Sequence, residues 1–392
     1  MDVRSVKGKI LLFVLPVVIL GLVVLSGAAY RYMDMTIEEQ LIANAQRSSE
    51  DTADFIESWL DARMLETQLT ASNPALRNIQ HDPAAANKNN AYRLQLMRQR
   101  YPDVYDSVSW GPFDGSGTLY GQTGAGFKVM QNKEKAWYKE TMRGEKASFM
   151  APPVISQATG KTIVNSIALV KDDDGKNIGM VLAAIYVDAV ARRVQELKLG
   201  ERGYSLLVAQ DGTYIVHPDE SVVMKKKIGE ESDTGLQELG KKMESGEKGM
   251  YRFVLSDGSP VIAFYNPIEN TGWGMAAIAY EDEFFAPAKA ALKMMAGISF
   301  VLILLISLVI AAVVGRILRP LQIMMQEMQL IAAGDFRNRP ARIQEDDEIG
   351  ELAAEIREMR DKVRAMICAV HDSTQTLAAF AEEMNATTEL QV

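Results

Sequence analysis

The chain has 392 residues, which at about 150 residues per domain is enough for two or three structural units. Its 51 acidic residues outnumber its 42 basic ones, and the net charge of −9 argues against a nucleic-acid partner. One cysteine and three histidines are too few for a disulfide framework or a Cys/His zinc site, so we expect no metal and no cofactor.

Two long apolar runs without charges, residues 10–29 and 294–314, stand out against this average composition. Each is about 20 residues long, enough as a helix to cross the hydrocarbon core of a bilayer. The first could instead be a cleaved signal peptide, but the apolar core of a signal peptide is usually shorter, about 7–15 residues. We predict two transmembrane helices. Basic residues before the first and after the second place residues 1–9 and the C-terminal end in the cytoplasm, with residues 30–293 outside.

The external segment begins with a helical pattern. Small and apolar residues recur at spacings near three and four, at Ile37, Leu41, Ala45, Ala53, Ile56 and Leu60. This spacing predicts a long helix that continues from the membrane and ends near Asn73-Pro74.

Strand-like runs with turn signals between them follow the helix. They lie at residues 104–110, 162–170 and 178–187 and, after a helical stretch at 188–199, at 204–208, 214–216, 250–255 and 273–280. Asp174-Gly175 between the second and third runs is a hairpin signal. The repeated order predicts two α+β units in tandem.

Motifs for catalysis are missing from this region. It contains no G-x-S-x-G elbow, no H-E-x-x-H helix and no glycine-rich phosphate loop, so we do not expect an enzyme. A ligand pocket is indicated by Lys135, the pair Trp137-Tyr138, and Asp188 at a strand end. Aromatic faces can enclose a small ligand and the charged groups can pair with its ends. The aromatic residues are equally suited to a plain core, and composition does not decide between the two.

Several segments in a fixed order carry a family resemblance. They are DFIESWLDAR (54–63), K-x-W-Y (135–138), S-x-A-T-G-K (156–161), Val187-Asp188 and G-x-R-G-Y-S-x-x-V (200–208), followed by D-G-T and H-P. Over about residues 55–283 the chain resembles the double Cache sensory domain of bacterial chemoreceptors and sensor kinases. The resemblance implies two PAS-like modules: a membrane-distal one (about 75–200) that binds small molecules between a sheet and covering loops, and a proximal one (about 201–283) that passes the change toward the membrane.

The amino-acid-binding branch of this family carries, in order, a Tyr, an Arg, a Trp-Tyr pair, a second Tyr and two Asp residues. The corresponding positions here are Met130, Lys135, Trp137, Tyr138, Val154, Ser156 and Asp188. The resemblance therefore implies a ligand site formed by Lys135, Trp137, Tyr138 and Asp188. Because only the aromatic pair and the last Asp match, an organic acid and an amino acid both remain open as the ligand.

A heptad pattern dominates the C-terminal part. Apolar residues recur every seven positions at Ile349, Ile356, Val363, Val370, Leu377 and Met384, with Leu352, Met359, Met366 and Phe380 between them. This seam predicts a coiled coil and a homodimer. A lone amphipathic helix packed on another core is the alternative.

The same region resembles two signalling modules. Pro320, the Gly334-Asp335 break and the D-E-I-G start at 347–350 resemble a HAMP domain, predicted over residues 315–369. Residues 370–392 resemble the opening of the methyl-accepting chemoreceptor signalling helix. Glu382 and Glu383 are candidate methylation sites there, or part of a solvated helix face. Because the signalling tip is missing, we expect a truncated receptor, a fragment or a natural short form.

These features together predict a chemotaxis transducer in the cytoplasmic membrane of a bacterium, with its sensor domain outside or periplasmic. A small ligand would act through HAMP on the coiled coil, and the chemotaxis kinase and coupling protein would be partners only if a full signalling domain is present. One alternative is the sensory half of a histidine kinase or diguanylate cyclase, for which His371 would be the cytoplasmic histidine. The other is a ligand-binding membrane module that does not signal.

Overall fold

The computed structural model describes residues 6–77, 82–123, 126–337 and 347–389. The beginning of the predicted N-terminal segment, the middle of the predicted HAMP domain and the last three residues lie outside the described residues. The chain forms two compact units. One contains residues 34–291, and the other contains the N-terminal residues up to 33 and the chain from 292 onward.

The first helix, α1 (Val6–Ala71), joins the first apolar run and the predicted external helix into one element of 66 residues. It ends where the sequence indicated. The side chain of Asn73 accepts a hydrogen bond from the backbone of Ala75 at 3.0 Å, and Pro74 begins a short 3-10 turn. Proline at this position starts a new turn because it cannot continue the preceding backbone hydrogen bonds.

The first sheet has seven strands in the order β3-β2-β1-β7-β6-β4, with β5 also paired to β6, and all pairs are antiparallel. In chain order the strands are β1 (Tyr105–Pro112), β2 (Thr118–Thr123), β3 (Gly126–Gln131), β4 (Ser148–Met150), β5 (Val154–Ile155), β6 (Thr162–Lys171) and β7 (Asn177–Tyr186). Helix α2 (Pro83–Arg100) precedes β1, and α3 (Ala136–Arg143) follows β3.

One face of the first sheet packs against α1 and α2. Val108 and Trp110 from β1 share a buried core with Ile56 and Leu60 from α1 and Leu94 from α2. Alternate strand residues point to opposite faces, so this packing leaves the other face of the sheet to the segments that follow β3 and β4.

The second sheet has five strands in the order β10-β11-β12-β8-β9. Its strands are β8 (Tyr204–Val208), β9 (Tyr214–Val216), β10 (Gly249–Val254), β11 (Pro260–Ile268) and β12 (Trp273–Tyr280), with α4 (Asp188–Glu196) before it and α5 (Thr234–Glu244) inserted after β9. Helix α5 packs on one face, and α1 lies on the other, where Ala45 joins the core around Phe264. The predicted α+β sensor fold is confirmed.

The helices after the second sheet are α6 (Glu281–Phe284), α7 (Ala286–Ala332) and α8 (Glu348–Glu389). Both α1 and α7 contain stretches long and apolar enough to cross a membrane. Helix α7 continues through Pro320, one of the residues that carry the HAMP resemblance. Proline removes one backbone hydrogen bond, and a long helix can continue past that loss when neighbouring turns remain bonded.

Candidate ligand-binding site

A cavity of about 530 Å³ lies on the face of the first sheet that α1 and α2 do not cover. The sheet contributes small and polar side chains, including Ser107 and Ser109 from β1, Asn165 from β6 and Ala184 from β7. The segments around β3, the start of α3, and β5 supply the remaining lining. We call this space the sheet cavity, and its volume is typical of small-molecule sites.

Asp106 lines the sheet cavity because β1 is irregular there. Tyr105 pairs with Ile185 and Ser107 pairs with Ala184, so β1 has one extra residue between these pairs. In a regular strand the Asp106 side chain would point to the same face of the sheet as Val108, toward α1 and α2. The bulge turns its carboxylate into the cavity instead.

The Asp106 side chain is only 7% exposed and is held by two hydroxyl groups. Tyr186 Oη donates to Asp106 Oδ1 at 2.6 Å, and Ser156 Oγ donates to Asp106 Oδ2 at 3.4 Å. Burial raises the pKa of Tyr186, and the hydrogen bond to Asp106 raises it further. The tyrosine therefore stays protonated and keeps donating to the carboxylate. The sequence prediction did not include Asp106.

Two of the predicted ligand residues, Lys135 and Trp137, line the sheet cavity together. Lys135 directly precedes α3 in an extended conformation, and Trp137 lies in the first turn of that helix. Within the part of the chain that the structure describes, the charged lining residues are Asp106, Lys128 and Lys135. Two ammonium groups and one carboxylate suit a ligand that carries a carboxylate.

The other two predicted residues lie outside the lining of the cavity. Tyr138 is buried, and its hydroxyl accepts a hydrogen bond from the backbone of Gly117 at 2.9 Å. Asp188 begins α4 and accepts a hydrogen bond from Lys161 Nζ at 2.6 Å. That hydrogen bond, with the negative charge beside it, raises the pKa of Lys161. The Lys161 ammonium lies 5.0 Å from the ring centre of Tyr186, so Asp188 adjoins the group that holds Asp106.

The positions at which the sequence departs from the amino-acid-binding pattern also line the cavity: Met130, Val154 and Ser156. Two further polar atoms there, Ser109 Oγ and Asn132 Nδ2, are buried without a hydrogen-bond partner among the described residues. A buried polar atom without a partner is costly, and a bound ligand or water can satisfy it. The cavity therefore offers hydrogen-bonding groups as well as charge.

The remaining candidates lie on α8. Glu382 is exposed, whereas the side chain of Glu383 lies outside the described residues. His371 is also exposed, with its Nε2 atom 3.1 Å from Nε2 of Gln375 one helical turn away. Most heptad side chains of this helix are exposed in the single chain, including Met366 at 67% and Leu377 at 70%, whereas Ile349, Ile356 and Val363 are half-buried.

Comparison with known proteins identifies two domain families in this chain. The sequence profile of the Cache domain matches residues 33–288, and that of the HAMP domain matches residues 312–365. The chain is 22% identical over 399 residues to the methyl-accepting chemotaxis protein McpA of Bacillus subtilis, an alignment covering 98% of this chain and 55% of that protein. It is also 22% identical to McpB of the same organism, over 89% of this chain and 50% of that protein.

Solved structures show a similar fold. The periplasmic sensory domain of the Campylobacter jejuni chemoreceptor Tlp1 matches with a TM-score of 0.51 at 14% identity, covering 64% of this chain and 99% of that one. At this identity the likeness concerns the fold alone. The chain spans about half the length of the curated relatives it matches.

Proposed function

The chain belongs to the Cache domain family, and on that premise we propose that it is a transmembrane chemosensory receptor. The sheet cavity is the observation that carries this proposal. It lies in the sensory part of a chain that also has two apolar helices and a HAMP domain. Sensor, membrane helix and relay module follow one another in the order that transmembrane signalling requires.

For the ligand we propose a small molecule with a carboxylate, either an organic acid or an amino acid. Lys135 would pair with the carboxylate, and Trp137 would cover the apolar part. We assign Tyr138 and Asp188 to positioning roles, since Tyr138 anchors α3 through Gly117 and Asp188 holds Lys161. Asp106 would accept a hydrogen bond from an amine or a hydroxyl of the ligand.

Signal relay would follow from the difference in ligand affinity between two conformations of the sensor. We propose that the sensor lies outside the cytoplasmic membrane, with both ends of the chain inside. Helix α7 runs without a break from Ala286 past Pro320 to Ala332, which supports transmission along a single helix. The mechanism makes and breaks no covalent bond.

We further propose a homodimer that forms through the exposed heptad seam of α8. Apolar side chains such as Met366 and Leu377 would be buried against the same residues of a second copy. The chemotaxis kinase and coupling protein would be partners where a complete signalling domain is present. Glu382 and Glu383 remain candidates for methylation on this helix.

The test is a thermal-shift screen of the full chain in lipid nanodiscs with amino acids and organic acids. A ligand at about 100 times its Kd adds roughly 2.7 kcal/mol of stability, which is easily detected. We expect Lys135→Ala to weaken binding of the carboxylate about tenfold or more. The matched control is Lys139→Ala, because Lys139 lies on α3 but pairs with Glu134 at 2.9 Å outside the cavity.

A shift for no compound, or a shift equally sensitive to both lysine substitutions, would count against the assigned pocket. Receptor function itself is tested by joining residues 1–392 in frame to the signalling domain of a relative. We expect the fusion to give a chemotactic response to the compound found in the screen. An unresponsive fusion that still binds the compound would separate ligand binding from signalling.

A further inference from the structure

A second cavity, of about 570 Å³, lies between residues near the first sheet and residues of the second sheet. We call it the cleft. Trp137 comes from α3, Phe149 and Met150 come from β4 of the first sheet, and Met224 and Trp273 come from the second sheet and its loops. Its volume is within the range of small-molecule sites, and its apolar lining is rich in aromatic and Met side chains.

The cleft is separate from the sheet cavity but shares residues with it. Ala136, Trp137 and Pro152 line both spaces. The Trp137 side chain is thus part of the boundary between them. A molecule in the cleft would touch the proposed sensing site without occupying it.

Backbone strain is found at the cleft. Met224 has a φ of +58°, a conformation that is rare for a residue with a long side chain. Its backbone N–H donates to the carbonyl of Tyr214 at 2.8 Å, which holds the residue there. Strain of this kind is concentrated at functional sites, because it persists only where the surrounding structure fixes it.

The charged groups of the cleft come from both parts of the sensor. Glu140 on α3 and Asp211 in the turn before β9 are the carboxylates, and Lys146 is the ammonium among the described lining residues. Lys146 Nζ lies 3.6 Å from Glu140, and Lys227 Nζ lies 2.8 Å from Asp211. Arg143 Nη1 also donates to Glu140 Oε2 at 2.9 Å, so both carboxylates already have ion-pair partners. The three basic side chains are exposed, which makes these pairs weak enough for a ligand ammonium group to compete for the carboxylates.

Asp211 is ionised at neutral pH. Burial opposes its ionisation, but hydrogen bonds from Lys227 and Thr213 outweigh that effect and lower its pKa. A carboxylate beside aromatic walls is a favourable setting for an organic cation, because aromatic faces attract positive charge and the carboxylate pairs with it.

We propose that the cleft is a second binding site, for an amine with an aromatic body. Phe149 and the exposed part of Trp137 would contact the ring, and Asp211 and Glu140 would accept hydrogen bonds from the ammonium group. The site is additional to the carboxylate-binding sheet cavity and does not depend on the receptor function proposed above.

Phenethylamine is the probe, measured by isothermal titration calorimetry with the full chain in nanodiscs. We expect binding, with the affinity reduced about tenfold or more by Asp211→Asn and by Glu140→Gln. The matched control is Asp257→Asn. Asp257 Oδ1 accepts a hydrogen bond from the backbone of Ser259 at 2.9 Å, and Asp211 Oδ1 accepts one from Thr213 at 3.1 Å in the same type of Asp-Gly turn. The Asn side-chain oxygen can accept the same hydrogen bond, so each variant preserves its turn. Asp211 lines the cleft and Asp257 does not, so only Asp211→Asn should weaken binding.

Phenylacetate and ethylamine complete the test, because one reverses the charge and the other lacks the ring. Both are expected to bind at least tenfold more weakly than phenethylamine. The proposal is overturned if phenethylamine does not bind or if phenylacetate binds as tightly. It is also overturned if Asp106→Asn, rather than Asp211→Asn, removes binding, because the amine would then occupy the sheet cavity.

Discussion

Substituting Tyr186 by Phe removes the hydroxyl that holds the buried carboxylate of the sheet cavity. Tyr186 Oη donates to Asp106 at 2.6 Å, whereas the second donor, Ser156 Oγ, is 3.4 Å away and cannot replace it. A hydrogen bond to a charged group contributes about 1.5–3 kcal/mol. We therefore expect the free energy of unfolding to fall by about 1.5–3 kcal/mol. At roughly 2–4 °C per kcal/mol for a domain of this size, the melting midpoint would fall by roughly 3–12 °C.

The assay follows tryptophan fluorescence of the full chain in nanodiscs during heating. Tyr92→Phe is the control, because Tyr92 is 59% exposed on α2, and we expect it to change stability by less than about 0.5 kcal/mol. Repeating Tyr186→Phe in an Asp106→Ala background completes a double-mutant cycle. There the effect should shrink to about 0.5 kcal/mol or less, since the acceptor is gone. An equal loss in both backgrounds would refute the role assigned to this hydrogen bond.

Three further predictions concern stability and assembly. Asn266→Ala should lower the free energy of unfolding by about 1–3 kcal/mol in urea titrations, because Asn266 Nδ2 donates to buried Ser49 Oγ at 2.8 Å where α1 crosses the second sheet. For Asp233, burial opposes ionisation, but hydrogen bonds from the first turn of α5 and the turn after β10 outweigh it and lower its pKa. The advantage of the native chain over Asp233→Asn should therefore be present above about pH 4 and disappear as the pH falls through the lowered pKa, as urea midpoints across pH will show. Met366→Glu, on the exposed seam of α8, should convert a dimer to a monomer in light scattering, whereas Ala365→Glu, one position off the seam, should not.

If both proposed sites are occupied by ligands, the sensor has more than one way to respond. Among the residues that the structure describes, the sheet cavity has two ammonium groups and one carboxylate in its lining, whereas the cleft has two carboxylates and one ammonium group. Molecules of opposite charge would thus be sorted between them. Because Trp137 lines both, binding in one space can alter affinity in the other, and such coupling is reciprocal by thermodynamic linkage.

Predictions from local pattern were the most successful. The end of α1 near Asn73-Pro74 was recovered, as were the three long strands β1, β6 and β7 of the first sheet and four of the five strands of the second sheet. These features depend on residues that are close together in the sequence. Strands β2, β3, β4, β5 and β11 were missed. β4 and β5 are only three and two residues long, too short for an alternation to show, and β3 is a largely exposed edge strand. Helix α7 continues past Pro320 because a proline removes only one hydrogen bond from a long helix.

The lining of the sheet cavity could be predicted only in part. Lys135 and Trp137 were identified from their motif, and they meet in the sheet cavity. Asp106 was missed because regular alternation in β1 would have directed it toward the helices, and only the bulge opposite Ile185 and Ala184 redirects it. The sequence of β1 alone does not predict this bulge, because the bulge arises from the pairing of β1 with β7, which is distant in the sequence.

The sequence by itself determined the class of this molecule: two apolar helices, an α+β sensor and a heptad helix. Each is encoded by composition or periodicity over a short stretch of chain, where local free energies are decisive. Only the tertiary structure decided which side chains line the same cavity. Asp106 lines the sheet cavity, and Trp137 and Trp273 both line the cleft. Strand order and register are set by contacts between distant residues, and these contacts decide which side chains share a cavity.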